Sequence, residues 1–574
     1  MAQQQQQQAS YQNWSISDFS AGMIDKVDNN LIPDNAASSC QNFISRTIGK
    51  LKRRPGQARL NAADLGGFIQ GLHAYYYGSA PTRRLVAAYN GKAGYWNAPT
   101  SAFVEIKTGL NAAAMVQFEN CVNFMVACNG VDAPWKWNGT TVSNLANAPA
   151  DAQFPVLHKE QLFVVPKASP STIKWSDFFL PETWPANNYQ QVKDGDGDVI
   201  TNLQKLLGQL VIFKERSIHV LRGTYVDDFQ LQEAESAIGC VGPRAAVRHD
   251  MYIYFVSDQG ICLFNGLKVI NLTESAIPLT WAGVNKEHLH KAVAWVHDGL
   301  LHFAVPEGTS TTNDLVLVYV PPQGDSSGAW WPWRDIEASC AQVFNDGQNV
   351  YTYTGDATAG YVVQQDVGTE DFERQELRSL SLGGATGGTF TLGDGVTDTA
   401  ALAFDATAAT IQTALEGIYG AGNVTVVAGF TITFAASVGG SALEANFALL
   451  EEATNPVLTM TQSAFTPIEA YWVGKYFDVG SPEFEKKTKR AFVQVSPDTT
   501  NVPLLTISVD YGAFGNATLD RTDGLVQQYI VSLTSRWRYL APKFTHSGAG
   551  ECEVRGLLIP YKAKHKPKVR QTTT

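Results

Sequence analysis

The chain has 574 residues, 44% of them hydrophobic and 11% aromatic, enough to fill one large core or several smaller ones. Its charged fraction of 17% lies below the roughly 25% usual for soluble domains, and a net charge of −11 excludes a dense basic clamp for nucleic acid. No window approaches the ~20 apolar residues that a membrane-spanning helix needs.

The N-terminus, MAQQQQQQASYQNW, is low-complexity sequence without the basic and apolar regions of a secretory signal. Residues 1–18 are expected to be disordered, or ordered only by a partner. Residues 19–70 follow as a segment expected to dock on the domains behind it. Within it, LKRRPG places Lys52, Arg53 and Arg54 either in a solvated turn or against an acidic neighbouring subunit. Seven cysteines (Cys40, Cys121, Cys128, Cys240, Cys262, Cys340 and Cys552) are dispersed with no CxxC pair, as in a protein made in a reducing cytosol.

Residues 71–378 carry an internal repeat. KWNGTTVSNL, from Lys136, aligns with LFNGLKVINL, from Leu263: an aromatic-Asn-Gly turn, then Val, then Asn-Leu. Related markers fall at Trp96, Trp137, Trp175, Leu221 and Phe264, with weaker ones at Tyr319 and Val362, a spacing near 40 residues. Each has an upstream apolar strand ending in a polar turn, as in QLVIFKERSIHVL and MYIYFVSDQGICLF. Six or seven such units arranged radially predict a β-propeller; an irregular β-sandwich is the alternative.

Several clusters inside this region carry residue types used in chemistry. DGDGD, Asp194 to Asp198, resembles the start of a calcium loop, but an EF-hand would need Gly and Glu where Val199 and Lys205 stand. A Gly-rich turn before a strand is the better reading, with a looser calcium site left open. HLHKAVAWVHDGLLHF holds His288, His290, His297 and His302, yet its Leu, Ala, Val and Trp neighbours fit an ordinary strand pair and not a metal centre. Asp177, Glu182, Asp227, Asp228 and Glu233 are candidates for glycoside hydrolysis only if they converge in space. No phosphate-binding or hydrolase motif appears, so no catalytic, cofactor or metal residue is assigned.

Residues 379–468 break the pattern. No Lys or Arg occurs between Arg378 and Lys475, while eight acids do; removing those eight from the net charge leaves −3 for the rest. The stretch predicts an inserted acidic α+β module of immunoglobulin-like size, with a helix from about Ala406 to Ile418 and a hairpin turning at Ala428-Gly429. Ile411, Leu415 and Ile418 form the helix's apolar face, and Gly420 and Gly422 its end. Residues 469–562 predict a β-sandwich or platform, and 563–574 a basic tail, either solvated or touching a neighbour or DNA.

Two stretches carry a family resemblance. FSAGMIDKVDNNLIPDNAASSCQNFISRTIGKLKRRPG matches an "F-x-x-G … LIPDN-x-A … N … G-x-L-x-(K/R)-R-P-G" pattern through Phe19, Gly22, Leu31 to Asn35, Ala37, Asn42, Gly49, Leu51 and Arg53 to Gly56. DGDVITNLQKLLGQLVIFKERSIHVLRG matches an acidic turn followed by "I-x-x-L" and "L-x-V-F-K-x-x-S-I". Both resemble the tail nozzle, or tail-tube hub, of short-tailed bacteriophages. The resemblance implies a non-enzymatic virion structural protein, made in the host cytoplasm and forming a hexameric ring below the portal's adaptor. Such a ring extends the DNA exit channel, retains the packaged genome and opens for ejection. The adaptor, tail fibres or spikes, and transient contact with double-stranded DNA are the implied partners. A receptor-binding virion protein recognising host glycans is the competing reading, and a glycan-degrading virion enzyme a third.

Overall fold

The computed structural model describes residues 11–564, apart from 62–63, 79–81, 122, 226–227, 323–327, 373–375, 395–396, 428, 435–442, 453, 455, 463–464, 497–502, 517, 524–527 and 549. Strands make up 52% of it and helices 6%, so the chain is mostly β.

From Ile69 to Gln365 run seven consecutive four-stranded antiparallel sheets. Their first strands are Ile69–Tyr77, Gln117–Cys121, Ala152–His158, Ile200–Leu206, Ala246–His249, Val293–His297 and Ala338–Asn345. Each first strand touches the next, and the seventh touches the first, so the succession returns on itself. Second strands such as QLFVVP (Gln161–Pro166) and LLHFAV (Leu300–Val305) are buried along their whole length, because neighbouring sheets cover both faces. The repeat markers Trp96, Trp137, Trp175, Leu221, Phe264, Tyr319 and Val362 all lie on third strands.

The seventh sheet is completed from far upstream. Gln57–Arg59 supplies its fourth strand, pairing Arg59 with Val363 and Gln57 with Gln365. The sheets therefore draw on residues expected to dock from outside: Gln57–Arg59 and the start of Ile69–Tyr77 both precede residue 71.

Two further sheets are built jointly by the N- and C-terminal parts. The first has the order Phe43–Ile44, Leu51–Arg53, Glu553–Lys564, Glu485–Val495, Gln528–Trp537, Thr518–Asp523, with Gln12–Ile16 also on Glu553–Lys564. The second runs Gly22–Met23, Ala36–Gln41, Ala470–Gly474, Leu540–His546, Leu504–Val509, Gly515–Asn516. Their apolar faces join one cluster with the fifth and sixth sheets, where Phe19 meets Trp472 edge-on at 5.2 Å and Trp330 and Trp331 are fully buried. Gln12–Ile16 corrects the expectation of disorder through residue 18. Trp14 packs on Phe477 at 4.2 Å and Ile16 is buried, an apolar anchor that the neighbouring glutamines mask in the sequence. The glutamine run itself, and residues 565–574 of the basic tail, lie outside the described residues.

A two-stranded stem, Glu370–Phe372 against Phe465–Pro467, leads into the acidic segment. Beyond it two small sheets flank the helix Ala408–Tyr419, and Phe390, Leu392, Ile411, Leu415, Ile432 and Phe434 form a core of their own. The Thr407 hydroxyl caps the helix by accepting from the Thr410 N–H, and Gly420 ends it with a positive φ. Ile418, the third member of the expected apolar face, is half-buried; Ala428 of the expected hairpin turn lies outside the described residues.

Candidate functional site

The first signature stretch converges on one junction. Phe19 is fully buried, and a Cβ on Gly22 would sit 2.7 Å from the Trp330 carbonyl oxygen, so the backbone of the sixth sheet's last strand approaches where only glycine fits. Asn42, buried with φ 56°, donates to the Glu469 carbonyl at 2.8 Å. Its Oδ1 accepts from Arg54 Nε at 3.0 Å and from the Arg334 N–H at 2.8 Å. Arg54 then pairs both ends of its guanidinium with Asp371 on the stem and donates to the Arg334 carbonyl at 2.9 Å. Burial pushes the Asp371 carboxyl up and the guanidinium pulls it back. Arg53 donates to the carbonyls of Ile468, Thr369, Gly548 and Gly550, and burial pulls its guanidinium down. One side chain thus joins the stem, the second sheet of the terminal pair and the exit from the acidic segment.

These contacts revise the basic run. Arg53 and Arg54 are 3% and 1% exposed, with their donors committed inside the chain, so a contact with a neighbouring subunit is not open to them. Lys52 alone reaches solvent, beside Glu551 at 3.2 Å. Buried arginines escape a sequence reading because carbonyl oxygens, which every residue has, are their main acceptors.

In the second stretch a cation is already present. Lys214 Nζ, with no exposed surface, donates to both Asp196 oxygens at 2.8 and 2.9 Å and to the carbonyls of Val192 and Lys193. Asp198 accepts from the Arg216 N–H at 3.1 Å and from the Ser217 hydroxyl at 2.9 Å. The acidic turn and the F-K-x-x-S pattern are therefore two halves of one hydrogen-bonded unit. An ammonium sits where a calcium ion would be held.

The seven first strands enclose a cavity of about 250 Å³ to which each contributes: Leu72, Glu119, Val156, Gln204, Ala246, Ala294 and Ala341. Arg244, on the approach to the fifth sheet, reaches across to the carbonyls of Gln70, Val116 and Ser339, in the first, second and seventh sheets or beside them. Gln117 crosses the other way to the Pro243 carbonyl at 3.2 Å. These bonds join residues of different sheets beside the cavity, whose lining includes Arg244, Gln117 and Pro243.

The remaining chemical candidates do not converge. His288 and His290 lie on a 3-10 turn, Lys286–Lys291, and not on a strand. His302 stacks on Trp295 at 5.0 Å, and burial pushes it down to about 3. His297 Nε2 meets Asp366 at 2.7 Å and its Nδ1 shares a hydrogen bond with the Thr352 hydroxyl at 2.6 Å, a triad-like order. The adjoining cavity is about 10 Å³, room for one water and not for a substrate. Asp177 caps the Phe178 N–H, Glu182 pairs with Lys136, Asp228 caps Thr224 and Tyr225, and Glu233 pairs with Lys193; Asp227 lies outside the described residues. Among the described residues no group of three or more His, Cys, Asp or Glu is placed to hold a metal. All seven cysteines are buried and unpaired, and burial pushes their thiols up, away from the nucleophilic thiolate.

One exposed apolar feature has no counterpart in the repeat pattern of the sequence. After the third sheet's third strand, Phe178, Phe179 and Leu180 project into solvent, with Phe178 6.0 Å from Tyr225. Backbone bonds from Asp177 to Thr183 and from Phe179 to Glu160 fix this loop, and Phe179 holds φ 56°.

No family model and no curated protein matches this chain. Among solved structures, the computationally designed Ika8 protein aligns at 13% identity over 54% of this chain and 99% of its own, with a TM-score of 0.34. That degree of overlap carries no argument about fold or function.

Proposed function

We propose that the seven sheets form a seven-bladed β-propeller, closed by Gln57–Arg59, and that the chain is a ring-forming tail nozzle or hub of a short-tailed bacteriophage. The observation that carries this reading is the destination of the signature residues. Phe19, Gly22, Asn42, Arg54 and Gly56 meet where propeller, platform and stem join, and Asp196, Asp198, Lys214 and Ser217 brace one blade. What is shared with that family is therefore a load-transmitting scaffold and not a reaction centre. Arg244 and Gln117 tie residues of different sheets together beside the central cavity, and the DNA path in this reading runs on the axis of an oligomer. A body close to neutral suits duplex DNA that must slide without being gripped. The proposed partners are five further copies, the adaptor and the passing genome.

Electron microscopy of the purified protein, alone and with its adaptor, tests the proposal. A sixfold ring with an axial pore is expected; a monomer or trimer under both conditions would sink it. The exposed Phe178, Phe179 and Tyr225 favour a second reading, a virion component that binds host glycans, since aromatic faces on a rigid loop suit sugar rings. Binding to host polysaccharide that Phe178→Ser and Phe179→Ser abolish, without a sixfold ring, would establish that reading instead.

A further inference from the structure

A pocket of about 240 Å³ opens beside Arg244, lined by Phe68, Met115, Lys291, Asn313 and Ala357 among others. Both of its charged groups are cations, and no carboxylate lines it. Asn313 is 2% exposed, and its amide donates to the carbonyls of Lys291 at 2.8 Å and Ala338 at 2.7 Å. Those two bonds fix the orientation of the amide and leave Oδ1 as a buried acceptor with no donor. Among the described residues Arg244 gives three of its five N–H groups to carbonyls and pairs with no carboxylate, so its charge is uncompensated. Lys291 Nζ, tethered to the Thr311 carbonyl at 2.7 Å, adds a second positive charge.

We propose that this pocket binds a small hydroxylated carboxylate of the hexuronate type. The carboxylate compensates Arg244 with Lys291 at its flank, a hydroxyl donates to Asn313 Oδ1, and the C–H face of the carbon skeleton covers Phe68 and Met115. Inorganic phosphate satisfies the same polar groups but leaves the apolar wall bare, and a neutral sugar leaves the guanidinium uncompensated. The proposal stands on the pocket alone and does not depend on ring formation.

Titration of glucuronate into the full chain, by calorimetry and saturation-transfer NMR, tests it against glucose and inorganic phosphate. Saturable binding is expected, about tenfold or more tighter than glucose, the order of one charge-assisted hydrogen bond. Ala113→Trp fills the pocket's mouth without removing a hydrogen-bonding side chain and should weaken binding by about tenfold or more. Lys291→Met should weaken it about threefold, as for a solvent-screened charge. Both variants should keep the parent Tm. No binding at millimolar glucuronate, equal binding of glucose, or unchanged binding by Ala113→Trp would overturn the proposal. Binding of phosphate in preference to glucuronate would overturn it too, by removing the carbon skeleton from recognition.

Discussion

Lys214 and Asp196 bring opposite charges together where one partner has lost its water entirely and the other keeps some. Removing the ammonium by Lys214→Met strands a carboxylate and two carbonyls, and should cost about 2–3 kcal/mol, below the ~3–5 typical of a fully buried pair because Asp196 stays partly solvated. Urea unfolding at pH 7 measures it. The pH dependence follows from the same contact. Lys214's hydrogen bond is the main cause holding the Asp196 carboxyl below its ordinary range. A depressed carboxylate contributes stability that is complete above the unfolded value near pH 4 and is lost as pH falls through the folded value. Asp196→Asn should therefore be less stable than the parent at pH 7 and converge on it as pH falls below the unfolded carboxylate value near 4. A constant gap across that window would show that the charge is irrelevant. Because an ammonium already fills the site, neither added calcium nor a chelator should shift Tm; a calcium-dependent rise that Asp196→Asn abolishes would reverse the assignment.

At the scale of elements, the strand that completes the seventh sheet comes from the far end of the chain, so its loss should be felt locally before it is felt globally. The Leu60 N–H donates to the Val362 carbonyl at 2.7 Å, just beyond Gln57–Arg59. Leu60→Pro removes that bond and should cost roughly 3 kcal/mol. Hydrogen exchange should show lost protection at Val362–Gln365 while the fourth sheet is unaffected; uniform loss would mean that the sheets unfold as one unit. The closing strand was not legible in the sequence, because periodicity reports neighbours along the chain and not a partner some 300 residues away. The third strands were legible, since each ends a hairpin with a bulky apolar marker such as Trp137 or Phe264. The fourth strands were not: VSN at Val142–Asn144 and YQQ at Tyr189–Gln191 are short and polar, and only their pairing makes them strands. LKRRPG misled for the opposite reason. Its charges look solvated until the fold brings Asp371 and four carbonyls to them.

For the whole molecule, the acidic module is the part whose removal should change least. Its core shares no buried residue with the main cluster, and both signature stretches lie outside it. Its two connections are adjacent strands of one stem, with Phe372 directly opposite Phe465. Opposed residues in an antiparallel pair stand about 5 Å apart, a gap that a two-residue Asn-Gly turn spans. Replacing 373–464 by that turn keeps Asp371 opposite Arg54, so the junction survives. The shortened chain should stay soluble, keep its Tm to within the effect of about 0.5 kcal/mol typical of surface changes, and assemble as the full chain does in electron microscopy. A separate 376–462 fragment should show cooperative thermal unfolding, having a helix packed on its own sheets. If the shortened chain loses its assembly while keeping its Tm, the module is part of the contact between subunits. If it loses both, the stem transmits stability that the separate cores do not reveal.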